Sequence, residues 1–214
     1  MERAAFADEL CRQIVADLRR FREAHPKETV YGYGLLGEPG GEPYLASVVA
    51  TEEGLQRVAA KYQKLGYRYK GFVEERAATA GELATWLRWA NPDDGWYFWG
   101  LPDHKRVRAA LTALVDAGGL GGEEFEEFCT DVLASLQTVP EWREEMTRGL
   151  VVLGFTYGSD PRDFLRTATR ANPYPVVRRL WREQWKASEL RPRLVPSGAR
   201  AAELDSAAPD RSGK

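Results

Sequence analysis

The sequence predicts an α+β protein in which a mainly antiparallel sheet of about four to five strands is packed by amphipathic helices, with a helical C-terminal part. Two observations carry this. Apolar residues recur at three- and four-residue spacing in several separate stretches, and β-rich runs bounded by glycine and proline interrupt them. At 214 residues, with 43% hydrophobic and 29% charged side chains, the chain is long enough to bury a core. One domain over residues 1–190 is expected, followed by a proline-, serine- and alanine-containing disordered tail over 191–214.

The first helix is marked by Phe6, Ala7, Leu10, Cys11, Ile14, Leu18 and Phe21, and it stops before His25-Pro26, where proline disfavours the helical region. Residues 29–37 and 43–51 read as a hairpin across a Glu-Pro-Gly-Gly-Glu connection. Thr51-Glu52-Glu53 starts a helix with a hydroxyl cap and acids at the positive helix end, and Gly66 closes it. Residues 67–75, YRYKGFVEE, are compatible with a strand, and 67–100 as a whole reads as a strand or short helix, the turn Asn91-Pro92-Asp93-Asp94-Gly95, and a short strand.

Two amphipathic helices follow, one with Val107, Ala110, Leu111 and Leu114 and closed by Gly118-Gly119. The other carries Phe125, Phe128, Cys129, Val132, Leu133 and Leu136, with Pro140 as its expected end. Residues 149–158 read as an apolar strand at the sheet centre. Two last helices are expected, the first capped by Ser159 or Asp160 with Pro161 at its first position, the second capped by Asn172 followed by Pro173, with Val177, Leu180 and Trp181 as its apolar edge.

Net charge is −2, and the charge is unevenly spread. Residues 1–89 hold 13 acids and 13 bases, 90–142 hold 10 acids and 3 bases, and 143–200 hold 6 acids and 12 bases. That is not the footprint of a dedicated nucleic-acid binder. No apolar run approaches the roughly 20 residues that span a bilayer, and the charged N-terminal stretch reads as a helix rather than a signal peptide, so no membrane role and a cytoplasmic location are expected. Cys11 and Cys129 are expected as reduced thiols on apolar stripes.

Signatures of chemistry are sparse. His25 and His104 are isolated and give no metal spacing, so no cofactor or metal is expected. Serines 47, 135, 159 and 188 lack a nucleophile elbow, and no phosphate-binding glycine loop is present. Adjacent carboxylates on a helix diverge by about 100°, so doublets such as Glu123-Glu124 do not by themselves build a site. Asp93-Asp94 is the exception, since it lies in a turn flanked by aromatic residues.

The most unusual feature is that aromatic cluster: Trp86, Trp89, Trp96, Tyr97, Phe98 and Trp99. Large rings mostly serve a core, yet they also dominate recognition hot spots, so one or two of them are expected to line a groove. Candidate binding residues are Arg88, Trp89, Asp93, Asp94, Trp96 and Trp99.

Several segments resemble a bacterial family of unknown function, domain-of-unknown-function family 4303. They are Ala24 to Tyr31, Val49 to Leu55, the Arg88-Trp89 … Pro92 … Trp96 pattern, and Ala171-Asn172-Pro173. The resemblance covers roughly residues 1–185 and implies an α+β domain without an assigned activity. It further implies partner binding in the manner of immunity or adaptor proteins. The leading expectation is therefore a binding protein that recognises another protein. One alternative is an enzyme of unfamiliar type that uses Glu74, Glu75, Asp93 or Asp94 with Arg88. The other is single-stranded nucleic-acid binding, which the charge balance disfavours.

Overall fold

A computed structural model describes the backbone of residues 2–40, 42–90, 96–147, 151–156 and 161–196. The chain is α+β and groups into two compact units. The first comprises Met1–Gly54 and Gly95–Arg182, the second Leu55–Asp94 and Glu183–Lys214.

In the first unit, helix α1 (Arg3–Ala24) precedes the hairpin of strands β1 (Val30–Glu38) and β2 (Tyr44–Thr51). The helix ends as its sequence predicts, with the His25 N–H reaching the Phe21 carbonyl at 2.8 Å. Antiparallel pairing runs from Glu38↔Tyr44 through Leu35↔Ser47 to Val30↔Thr51. At Gly37 of β1 a Cβ would lie 2.7 Å from the Tyr44 carbonyl oxygen and 2.8 Å from the Phe125 ring, so only glycine fits. Strand β5 (Trp96–Trp99) adds antiparallel to β2, and β6 (Val151–Thr156) adds parallel to β1.

The sheet order is β5-β2-β1-β6. The expectation of one mainly antiparallel sheet thus becomes two sheets, the larger of them mixed. Strand β6, expected at the sheet centre, lies at its end. A parallel neighbour far along the chain leaves no local signature, whereas a hairpin does.

Helices α4 (His104–Asp116), α5 (Gly122–Ser135), α6 (Pro140–Thr147) and α7 (Pro161–Ala171) complete this unit with the start of α8 (Tyr174–Leu190). Gly118, at φ +71°, closes α4 as expected. Pro140 does not end α5. That helix passes into a 3-10 turn at Leu136–Thr138, and Pro140 opens α6, where its missing N–H costs nothing. Asn172 turns its side chain back to the Ala168 carbonyl at 2.9 Å, at the end of α7. The expected cap residues Ser159 and Asp160 lie outside the described residues.

One apolar cluster fills the unit. Phe6, Leu10, Ile14 and Phe21 from α1 meet Tyr33, Leu35 and Val49 from the sheet and Leu111, Phe125, Leu133 and Trp142 from the helices, all at 1% exposure or less.

The second unit starts within α2 (Glu52–Lys64), whose Thr51 cap accepts the Gly54 N–H at 3.0 Å. Gly66, at φ +80°, follows the helix end. A short hairpin of β3 (Arg68–Lys70) and β4 (Glu75–Ala77) comes next, then α3 (Ala80–Leu87). Where the sequence suggests a single strand over 67–75 and then a strand or short helix, the structure has two short strands and a helix whose start is written in the chain. Thr79 and Glu82 form a reciprocal capping box, the serine/threonine-x-x-glutamate pattern that marks a helix start.

Residues 191–195, assigned to the tail by composition, form a 3-10 turn (Arg191–Arg193) and strand β7 (Leu194–Val195), which pairs with β3 in the order β4-β3-β7. Tyr62, Tyr67 and Trp86 pack as a trio with ring centroids 5.0 to 5.7 Å apart. Beneath α3, Leu83 and Leu87 are fully buried. Among the described residues, no helix is long and apolar enough to cross a membrane.

Candidate functional site

The residues expected to form a binding face fall in different settings. Trp89 is 6% exposed, and its indole N–H donates to Glu183 at 2.7 Å, while the Arg88 guanidinium lies 3.8 Å from the same carboxylate. Trp96 is also 6% exposed and meets Tyr31 edge-on. Trp99 is half-buried against Phe21 and His25. Asp93 and Asp94 lie outside the described residues. Most of the aromatic run thus serves the interiors of the two units. Alternation divides the rings of β5: Tyr97 and Trp99 pack on Phe21 of α1, while Trp96 meets Tyr31.

Ionisable groups are buried in one place in particular. Asp17, fully buried on α1, accepts from the Tyr33 hydroxyl at 2.9 Å and from the Arg20 guanidinium at 2.8 Å. Ser47 lies beside the same carboxyl, and its hydroxyl donates to the Trp99 carbonyl. Arg20 donates onward to the Gly100 carbonyl and lies 5.6 Å from the Trp99 ring. Burial raises the Asp17 pKa above the ordinary aspartate value, although the hydroxyls and Arg20 pull it back. Burial likewise pushes the Tyr33 phenol well up, helped by the Asp17 charge.

This network ties α1 to β1 and β2. Tyr33 and Ser47 are fully enclosed, and only Arg20 reaches solvent, which gives the cluster the character of a buried structural tie. His25 is a ring in the aromatic wall beside it, 4.6 Å from Phe21 and 5.4 Å from Tyr97.

Other groups named as possible chemistry are paired. On the β3–β4 hairpin, Glu75 holds Arg68 at 2.8 Å and Glu74 lies 3.5 Å from Arg76. Glu82 is held down at about 2 by Arg76 and by its capping bonds to Thr79. Both cysteines are free thiols, and burial pushes Cys129 up to about 12, far from reactivity. A cleft of about 210 Å³ between α1 and α6 has Val15, Leu18 and Trp142 as apolar wall. Its rim charges are matched, Arg19 with Glu141 and Arg22 with Glu145.

What stands out is apolar surface left outside. On α8, Val176, Val177 and Leu180 are buried, but Tyr174 is 75% and Trp181 54% exposed. The sequence reading placed Trp181 on the buried edge beside Val177 and Leu180, and the structure turns it to solvent. Seven residues make nearly two helical turns, so Tyr174 and Trp181 share a face roughly 10 Å long, with exposed Arg178 between them. The other tryptophans of the first unit, Trp96, Trp99 and Trp142, are buried or half-buried. In the second unit, Phe72 and Val73 at the β3–β4 turn are each 98% exposed, and Trp185 is 67% exposed. Compared with protein-family models, curated proteins and solved structures, the chain matches none of them.

Proposed function

We propose that the chain is a binding protein, adaptor- or immunity-like in kind, that recognises another protein through the α8 face made by Tyr174, Arg178 and Trp181. One observation carries the reading: two large rings stand exposed on one rigid helix face around an arginine. Tryptophan, tyrosine and arginine are the residue types that concentrate binding energy at protein interfaces. The helix holds them in place because the side turned away from them is anchored by buried Val176 and Leu180, so little order is lost on docking.

The enzymatic alternative has less support, because Glu74, Glu75 and Arg88 are engaged in ion pairs. The test compares partners captured by the parent chain and by Tyr174→Ser/Trp181→Ser, each checked for an unchanged melting profile. The reading expects a protein recovered by the parent and lost by the variant. Equal recovery by a folded variant would remove this face from consideration.

A further inference from the structure

We infer that the β3–β4 hairpin of the second unit is a docking element for an anionic membrane surface, its tip entering the apolar margin of the bilayer and its cationic collar meeting lipid headgroups. The tip is tight. Lys70 pairs with Glu75, and the Gly71 N–H reaches the Glu74 carbonyl at 2.8 Å, so Phe72 and Val73 are the two central residues of the turn. Neither residue has a positive φ, so the turn backbone accepts these side chains without demanding them. An aromatic and a β-branched residue, each 98% exposed at the tip, add nothing to the unit's interior. Their apolar surface is thus free to meet something outside the unit.

The charges around the tip say what kind of surface. Glu75 on the hairpin is paired with Arg68 at 2.8 Å, and Arg76 is shared between Glu82 at 2.7 Å and Glu74 at 3.5 Å. Three cations remain. Lys70 and Arg191 are exposed and make no ion pair among the described residues, and Arg193 donates to the Tyr69 hydroxyl at 2.9 Å with its guanidinium 5.8 Å from the Phe72 ring. The described residues of this unit hold ten lysines and arginines against five acids. An apolar point inside a basic collar matches a surface that is negative outside and apolar beneath. Such peripheral contact needs no spanning helix, and it is independent of the α8 face.

The test is co-sedimentation of the full chain with vesicles of phosphatidylcholine alone and with phosphatidylserine added, at low and at high salt. The parent is expected to bind only the serine-containing vesicles and to release at high salt. Phe72→Ser/Val73→Ser is expected to weaken binding on the order of a hundredfold, and Lys70→Gln/Arg193→Gln about tenfold. Val73→Asp serves as a second tip variant should the double change disturb the turn. Trp181→Ala is expected to bind vesicles like the parent, so loss of one surface is read separately from loss of the other. No binding by the folded parent overturns the inference and leaves a protein socket as the hairpin's target. Binding unchanged in both tip variants, or equal binding to neutral vesicles, also overturns it.

Discussion

The two units handle their apolar and ionisable residues differently. In the first, one cluster from α1, the sheet and four helices encloses most of the large side chains described, Tyr174 and Trp181 standing outside it, and even a carboxylate, Asp17, is taken inside. The second is small, with strands of two or three residues, an aromatic trio and a capped helix, and it leaves Phe72, Val73 and Trp185 outside. Surface grows relative to volume as a unit shrinks, so a small unit relies on caps, rings and ion pairs where a larger one relies on its core. The same contrast governs titration. Asp17 is raised by burial, whereas Glu82 is lowered by the ligation of Arg76 and Thr79.

The largest expected effect belongs to the closed core. Trp142→Ala leaves a cavity beside Tyr33, whose ring it meets edge-on at 5.1 Å, and should cost about 3–5 kcal/mol in denaturant melts. Trp86→Ala strips the trio of the second unit but removes only a half-buried ring, so about 1–2 kcal/mol is expected. Hydrogen exchange should place the first loss in the first unit and the second loss in residues 55–90. Exchange that rises equally in both units after either change would dissolve the comparison. Thr79→Ala, which breaks the capping box, should cost about 1 kcal/mol.

Acidity sharpens the contrast further. The folded pKa of Glu82, about 2, lies below its ordinary 4.5, so its contribution is complete above pH 4.5 and disappears as pH falls toward 2. The folded pKa of Asp17 lies above its ordinary 3.8, so the native state holds that proton more tightly, and stability is withdrawn as pH rises from 3.8 through the raised value. Melts of Glu82→Gln and Asp17→Asn against the parent should therefore show differences of opposite pH slope. Parallel slopes would mean that one of the two environments is wrongly described. At the small end, Arg19→Ala breaks an exposed pair with Glu141 and should leave the melting profile unchanged.

How much of this was legible in the sequence follows the range of each interaction. Helical stripes such as Phe6 to Phe21, the β1–β2 hairpin and the Thr51 cap are local, and the structure has them where the spacing placed them. The parallel seat of β6 beside β1 joins segments more than a hundred residues apart, and nothing in either segment announces it. Pro140 was misjudged because a proline signals both an end and a beginning, and only packing decides which. Two signals were present but unread. Thr79-x-x-Glu82 is a helix start, and Gly71 in the middle of YRYKGFVEE divides one apparent strand into two.

The candidate surfaces were harder to see. Trp181 shares an apolar periodicity with Val177 and Leu180, and spacing alone does not say which side of so broad a stripe stays wet. Conversely, the density of rings over 86–99 suggested a surface, yet Trp89 and Trp96 are interior residues. Ring density reports large side chains, and a core uses them as readily as an interface does.

In the proposed reading, the exposed rings of α8 hold the partner. The most direct test is amide hydrogen exchange of the chain alone and with its captured partner. The account predicts new protection concentrated over residues 174–182 while the buried tie at Asp17, Tyr33 and Ser47 is unchanged. Protection that spares α8 and gathers instead around that tie would contradict it.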